Sequence, residues 1–134
     1  MSYRWIEHTA ELELELEGTS AEAVFADALL ALGELLSDEG SHQAGAAVSV
    51  QVSVAGQDRA MLLAEWLDEL VFRAEIDGLV PVALEQIELG EHQLTATIRG
   101  AQGTPRHLVK GVTHHRLAFE RADGGLRATV VLDV

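Results

Sequence analysis

Residues 11–17 read Glu-Leu-Glu-Leu-Glu-Leu-Glu, and no other stretch restricts the fold as strongly. Side chains alternate between the two faces of a strand, so a period of two sends Leu12, Leu14 and Leu16 to a core and the glutamates away from it. Glu and Leu are both good helix formers, but the alternation overrides propensity and predicts a strand. Gly18 ends it. A second alternation, Val48, Val50, Val52 and Val54 with polar residues between, predicts another strand, broken at Gly56.

Two segments switch to helical spacing. Thr19-Ser20-Ala21-Glu22 fits a capping box with Thr19 as N-cap. Behind it Ala21, Val24, Phe25, Ala28, Leu29, Leu32, Leu35 and Leu36 share one face, predicting an amphipathic helix over 20–37. Residues 38–46, rich in Gly, Ser and Asp, read as a loop. Residues 58–76 form the second predicted helix, with Leu63, Trp66, Leu67, Leu70, Val71 and Ala74 on its buried side and Gly78 placed to terminate it. After Pro81, residues 83–89 and 93–99 predict a hairpin round Gly90-Glu91-His92. Gly100 to Pro105 reads as a loop, and 108–120 with 126–133 predict a last hairpin round Asp123-Gly124-Gly125. Together these elements describe a single α+β domain over 1–134, an antiparallel or mixed sheet carrying two amphipathic helices.

Composition narrows the function. The chain has 134 residues and no Cys, which excludes disulfides, zinc fingers, iron–sulfur clusters and thiol nucleophiles. No apolar run approaches the ~20 residues that span a bilayer, and the start lacks the apolar segment of a secretory signal, so a cytoplasmic protein with no membrane association is expected. The net charge of −13 argues against direct nucleic-acid binding, which needs a basic face. That charge is uneven. Residues 1–98 hold nineteen acids against Arg4, Arg59 and Arg73, a net of −16, whereas residues 99–134 are +3 and include Lys110, the only lysine. A local positive patch, or arginines simply decorating strand faces, both fit. Phosphate loops, dinucleotide turns, helical zinc pairs and nucleophile elbows are absent, so an independent enzyme is not the leading reading.

Three clusters carry candidate chemistry. Glu7-His8-Thr9-Ala10-Glu11 places two carboxylates and an imidazole at the start of a strand, suited to a hard cation such as Ca²⁺ or Mg²⁺; the ordinary alternative is a solvated glutamate-rich edge. At the end of the chain Asp133 stands beside the α-carboxylate of Val134, a second candidate cation site or else a solvated terminus. Lys110-Gly111-Val112-Thr113-His114-His115 carries the lone lysine, which suits a carboxylate cluster or a phosphate. Adjacent His114 and His115 are expected on opposite strand faces.

In that order these motifs resemble the archease family along essentially the whole chain. The family pattern begins with an acid and His-Thr-Ala-Asp, matched by Glu7-His8-Thr9-Ala10-Glu11. Its second helix is similar to residues 63–72, followed by the turn at Asp77-Gly78-Leu79. Lys-Ala-Val-Thr-Tyr-His is matched by Lys110 to His115, and a penultimate Asp by Asp133. The resemblance implies a non-catalytic helper of the GTP-dependent RNA-splicing ligase that joins tRNA exons, promoting its guanylylation and multiple turnover. It also implies a divalent cation, Ca²⁺ first and Mg²⁺ or Mn²⁺ otherwise, held by Glu11, Asp133 and the main chain of Val134, with Glu7, His8, Lys110 and His115 supporting. Two positions depart from the pattern. Glu11 replaces Asp and reaches ~1 Å farther, which flexible Ca²⁺ coordination absorbs better than strict Mg²⁺ geometry. His114 replaces Tyr. The rival readings are an acidic, chaperone-like adaptor of an RNA-modifying enzyme such as a tRNA methyltransferase, and a metal-dependent hydrolase using Glu7, Glu11 and Asp133. The ligase-helper reading requires Glu11 and Asp133, distant in sequence, to lie side by side.

Overall fold

The computed structural model describes residues 2–37, 47–105 and 109–134. The elements run β1 (Ser2–His8), β2 (Glu11–Gly18), α1 (Ala21–Leu36), β3 (Ala47–Ala55), α2 (Arg59–Asp77), β4 (Leu79–Leu89), β5 (Gln93–Gln102), β6 (Gly111–Ala122) and β7 (Gly125–Asp133). The strands make two antiparallel sheets, ordered β1-β2-β7-β6 and β3-β5-β4. Both helices pack against strands of both sheets. One continuous core results, with Leu14, Leu16, Phe25, Leu32, Leu63, Trp66, Leu94, Ile98, Val130 and Leu132 in it. Each such aliphatic side chain removed from water contributes about 2 kcal/mol before entropy is subtracted.

The alternation of β2 is realised as expected. Leu14 and Leu16 are fully buried and Leu12 packs against the same core. Helix α1 starts one residue later than its sequence pattern suggests. Ser20, not Thr19, is the N-cap, and its Oγ accepts from the Ala23 N–H at 3.1 Å. A hydroxyl one position on reaches the free amides of the first turn equally well, and the sequence of two adjacent hydroxyls does not choose between them. Asp58 caps α2 by accepting from Met61 N at 2.8 Å. Gly78 closes that helix with φ of 65°, the left-handed conformation that only glycine adopts without strain. The helices are tied to each other by the indole N–H of Trp66, which donates to the Phe25 carbonyl at 3.0 Å.

Helix α1 lies directly on β4. A Cβ at Gly33 would stand 2.2 Å from the Pro81 carbonyl oxygen, so only glycine permits this approach. Pro81 is tolerated because β4 is an edge strand, where a missing N–H breaks no ladder.

Four expectations change. Residues 2–8 form a strand that their mixed pattern did not announce, since Glu7 occupies a core-side position at its open end. The strands divide between two sheets rather than one. Residues 100–102 extend β5 instead of joining the following loop. In β6 the regular alternation fails: pairing with β7 shifts between Thr113 and Ala118, and Arg116 has φ of 59°. His114 and His115 fall within this bulge, and both are exposed. The expected loop at 38–46, and Arg106 and His107 of the basic segment, lie outside the described residues.

Candidate functional site

Direct register partners in an antiparallel sheet share a face, so the registers show which of the candidate residues lie together. His8 pairs with Glu11, Glu11 with Asp133, and Asp133 with Gly111, which makes one row across all four strands of the first sheet. The row faces away from the core. At its ends the backbone closes round it. The Lys110 N–H donates to the Asp133 carbonyl at 2.8 Å, and the Val134 N–H donates to the Ala10 carbonyl at 3.2 Å. From the next layer, the α2 carboxylate of Asp68 accepts from the Val112 N–H at 3.0 Å and fixes the start of β6. The structure therefore brings Glu11, Asp133, Val134, His8 and the backbone of Lys110 to one end of one sheet.

Glu7 does not join them. It pairs with Leu12 and belongs to the opposite face. His115 lies on the bulge, where its N–H donates to Thr113 Oγ1 at 3.0 Å.

Two residues that the sequence did not single out complete the cluster. Glu13, one alternation along β2, is only 9% exposed although it faces outward. Its Oε1 meets His8 Nε2 at 3.0 Å and accepts from Arg116 Nε at 3.1 Å. Arg116 Nη2 also donates to Glu11 Oε1 at 3.3 Å. To reach β2 from β6 the guanidinium must cross β7. Val131, which lies on that face between Glu13 and Thr113, is accordingly fully buried. The hydrogen bond from His8 and the charge and hydrogen bond of Arg116 hold the Glu13 carboxyl below its ordinary value, against the opposing effect of burial. The bulge is what carries Arg116 there. Among the described residues the non-glycine positions with left-handed backbone are Ala10 and Arg116, and both stand at this end of the sheet. Such conformations cost on the order of 1 kcal/mol and concentrate at functional sites.

The remaining outward glutamates of β2 are paired as well, Glu15 with Arg4 at 2.7 Å and Glu17 with Arg127 at 3.5 Å. The arginines of the chain thus serve partly to neutralise this one strand.

Glu11 and Asp133 stand at directly opposed positions on one face, and both carry carboxylates, the kind of hard oxygen a divalent cation takes. Among the described residues no group of three or more His, Cys, Asp or Glu side chains is gathered closely enough to hold a metal ion. Further ligands would therefore come from main-chain oxygens, solvent or a partner. A hollow of about 570 Å³ lined by Thr19, Arg121 and Asp123 lies at the other end of the sheet. No helix among the described residues is long and apolar enough to cross a membrane.

Two antiparallel sheets enclosing a pair of helices, with a polar cluster at the end of one sheet, define a small α+β domain whose distinctive chemistry is exposed rather than sunk in a pocket. The chain belongs to the archease family: the model of the Archease protein family matches residues 3–134. Protein archease of Methanopyrus kandleri is 32% identical, with all of both chains covered. That of Methanosarcina mazei is 30% identical over 98% of this chain and 95% of its own. The solution structure of Methanobacterium thermoautotrophicum protein 1598 superposes with a TM-score of 0.77 at 28% identity, covering 98% of each chain. A Thermotoga maritima crystal structure described as an archease, possible chaperone, shares the fold with a TM-score of 0.68 at 22% identity, over 96% of this chain and 94% of that one.

Proposed function

We propose that this protein is a non-catalytic helper of a GTP-dependent RNA-splicing ligase, promoting the ligase's guanylylation and multiple turnover through a divalent-cation site made by Glu11, Asp133 and the main chain of Val134. The observation that carries this reading is the register match of Glu11 with Asp133. Two carboxylates directly opposite one another repel; Arg116 offsets part of that repulsion at Glu11, and a divalent cation shared with Asp133 would offset the rest. Bound there, a divalent cation would supply positive charge to offset nucleotide phosphate during transfer.

The chain's own groups prepare the site. Hydrogen bonds from Lys110 to the Asp133 carbonyl and from Val134 to the Ala10 carbonyl hold the last strand against both neighbours, so the Asp133 side chain projects from a fixed backbone. Lys110, whose backbone is hydrogen-bonded to Asp133, carries the positive charge that phosphate of the partner's nucleotide would meet. Nucleic acid is met through the ligase, in keeping with the acidic surface.

The adaptor reading rests on the broad acidic surface and gives Asp133 no part. Pairing of the four outward glutamates of β2 with arginines lessens that charge on one strand, while the chain as a whole keeps a net charge of −13. The deciding experiment is a multiple-turnover ligation assay with purified ligase. Asp133→Ala is expected to abolish stimulation while circular dichroism stays unchanged. Stimulation retained by the folded variant rules the mechanism out.

A further inference from the structure

Arg116 does more at this cluster than neutralise it. Its guanidinium holds two carboxylates unequally. Nε is 3.1 Å from Glu13, whose side chain is 12% exposed, whereas Nη2 is 3.3 Å from Glu11, whose side chain is 30% exposed. The inner contact is shorter and better shielded, and the outer one is longer and wetter. Glu11 is also the residue that faces Asp133. The arginine therefore occupies one of the two carboxylates proposed to take a divalent ion.

We infer that Arg116 is a built-in competitor that sets the cation affinity of this site: a divalent ion enters by displacing the guanidinium from Glu11, while Glu13 keeps the arginine anchored nearby. The inference rests on the reading that Glu11 and Asp133 hold a cation. An exposed, single-contact ion pair is weak, so the exchange at Glu11 is easily made. A guanidinium that stays within a few ångströms of the incoming ion still repels it. Both effects lower affinity, so a site with this arginine fills only where the free-ion concentration is high. The geometry behind it is specific. Arginine's planar fork spans two carboxylates at once, whereas a lysine presents a point charge and holds one. The bulge with φ of 59° at Arg116 is what brings that fork over β7.

The test is isothermal titration calorimetry with CaCl₂ on the whole chain, with no ligase present. Arg116→Gln is expected to bind Ca²⁺ about tenfold more tightly than the wild type, and Glu11→Gln in the Arg116→Gln background is expected to lose that gain. Arg116→Lys, which keeps the charge on Glu13 but releases Glu11, is expected to gain a few-fold. It also serves as the deciding variant should Arg116→Gln fail to fold by circular dichroism. Measurable Ca²⁺ binding of equal strength in wild type and both Arg116 variants overturns the competitor role and leaves the site reading standing. A gain that survives Glu11→Gln overturns it too, because the arginine would then act elsewhere. Ca²⁺ binding by none of the proteins overturns the site reading and this inference together.

Discussion

At one end of β2, Glu15 and Glu17 pair with Arg4 and Arg127, their direct register partners on the adjoining strands. At the other end, Glu11 and Glu13 share Arg116, which comes from two strands away. The first arrangement needs only ordinary strand geometry and leaves its side chains largely in water, where such pairs contribute little. The second needs a bulge, a left-handed arginine and a buried glutamate. Identical residue types on one strand face therefore do different work: one end is a solubilising cross-strand ladder, the other a constrained charge cluster.

Substitution at the constrained end should have the largest effect. Glu13→Ala removes the anchor of both Arg116 and His8 and is expected to lower unfolding free energy by about 2 kcal/mol in urea melts, the scale of lost hydrogen bonds to charged groups. A loss as small as that at Glu17 would erase the distinction between the two ends.

Acid should reveal the same asymmetry. Because the folded-state pKa of Glu13 is depressed, its stabilisation is fully present above the ordinary value of 4.5 and is lost as pH falls through the folded value. Wild type and Glu13→Gln are thus expected to differ in melting temperature at pH 7 and to converge as pH drops below that range. Parallel pH profiles would contradict the account.

Ala10→Gly tests the backbone strain at this end. With φ of 61°, alanine is strained where glycine is not, so the variant is expected to be up to about 1 kcal/mol more stable, less the entropy glycine adds to the unfolded chain. The smallest change is expected from Glu17→Ala, within about 0.5 kcal/mol of wild type in the same melts.

Much of this architecture was readable from residue order because it rests on local periodicity. The leucines of β2, the apolar faces of both helices and the stop at Gly78 each depend on neighbours a few positions away. The meeting of Glu11 and Asp133 is long-range, and it was accessible only through motif resemblance, since nothing local aligns β2 with β7. Arg116 is not legible in the sequence for a definite reason. Counting by twos from Thr113 puts Arg116 on the core side, but the bulge resets the phase, so that Ala118 rather than Leu117 falls on the outer face with Thr113. The trace of that reset is in the sequence: Val112 and Phe119, both core-facing, are separated by an odd number of positions. Glu13 was hidden differently. Its sequence context is identical to that of Glu15, and only the folded-over arginine distinguishes them.

The two sheets also differ in how far apart along the chain their strands lie. The sheet β3-β5-β4 assembles from neighbours within residues 47–102. The other joins the opening hairpin to β7 and β6, with Arg116 and Glu11 separated by 105 positions. Closing so long a loop is slow relative to local pairing. On this ground the charge cluster is expected to form late in folding, so that incompletely folded chains carry the glutamates but not the arrangement. Cation binding at Glu11 and Asp133 would in that case report on the finished molecule alone, and an immature copy would present no working site to a partner.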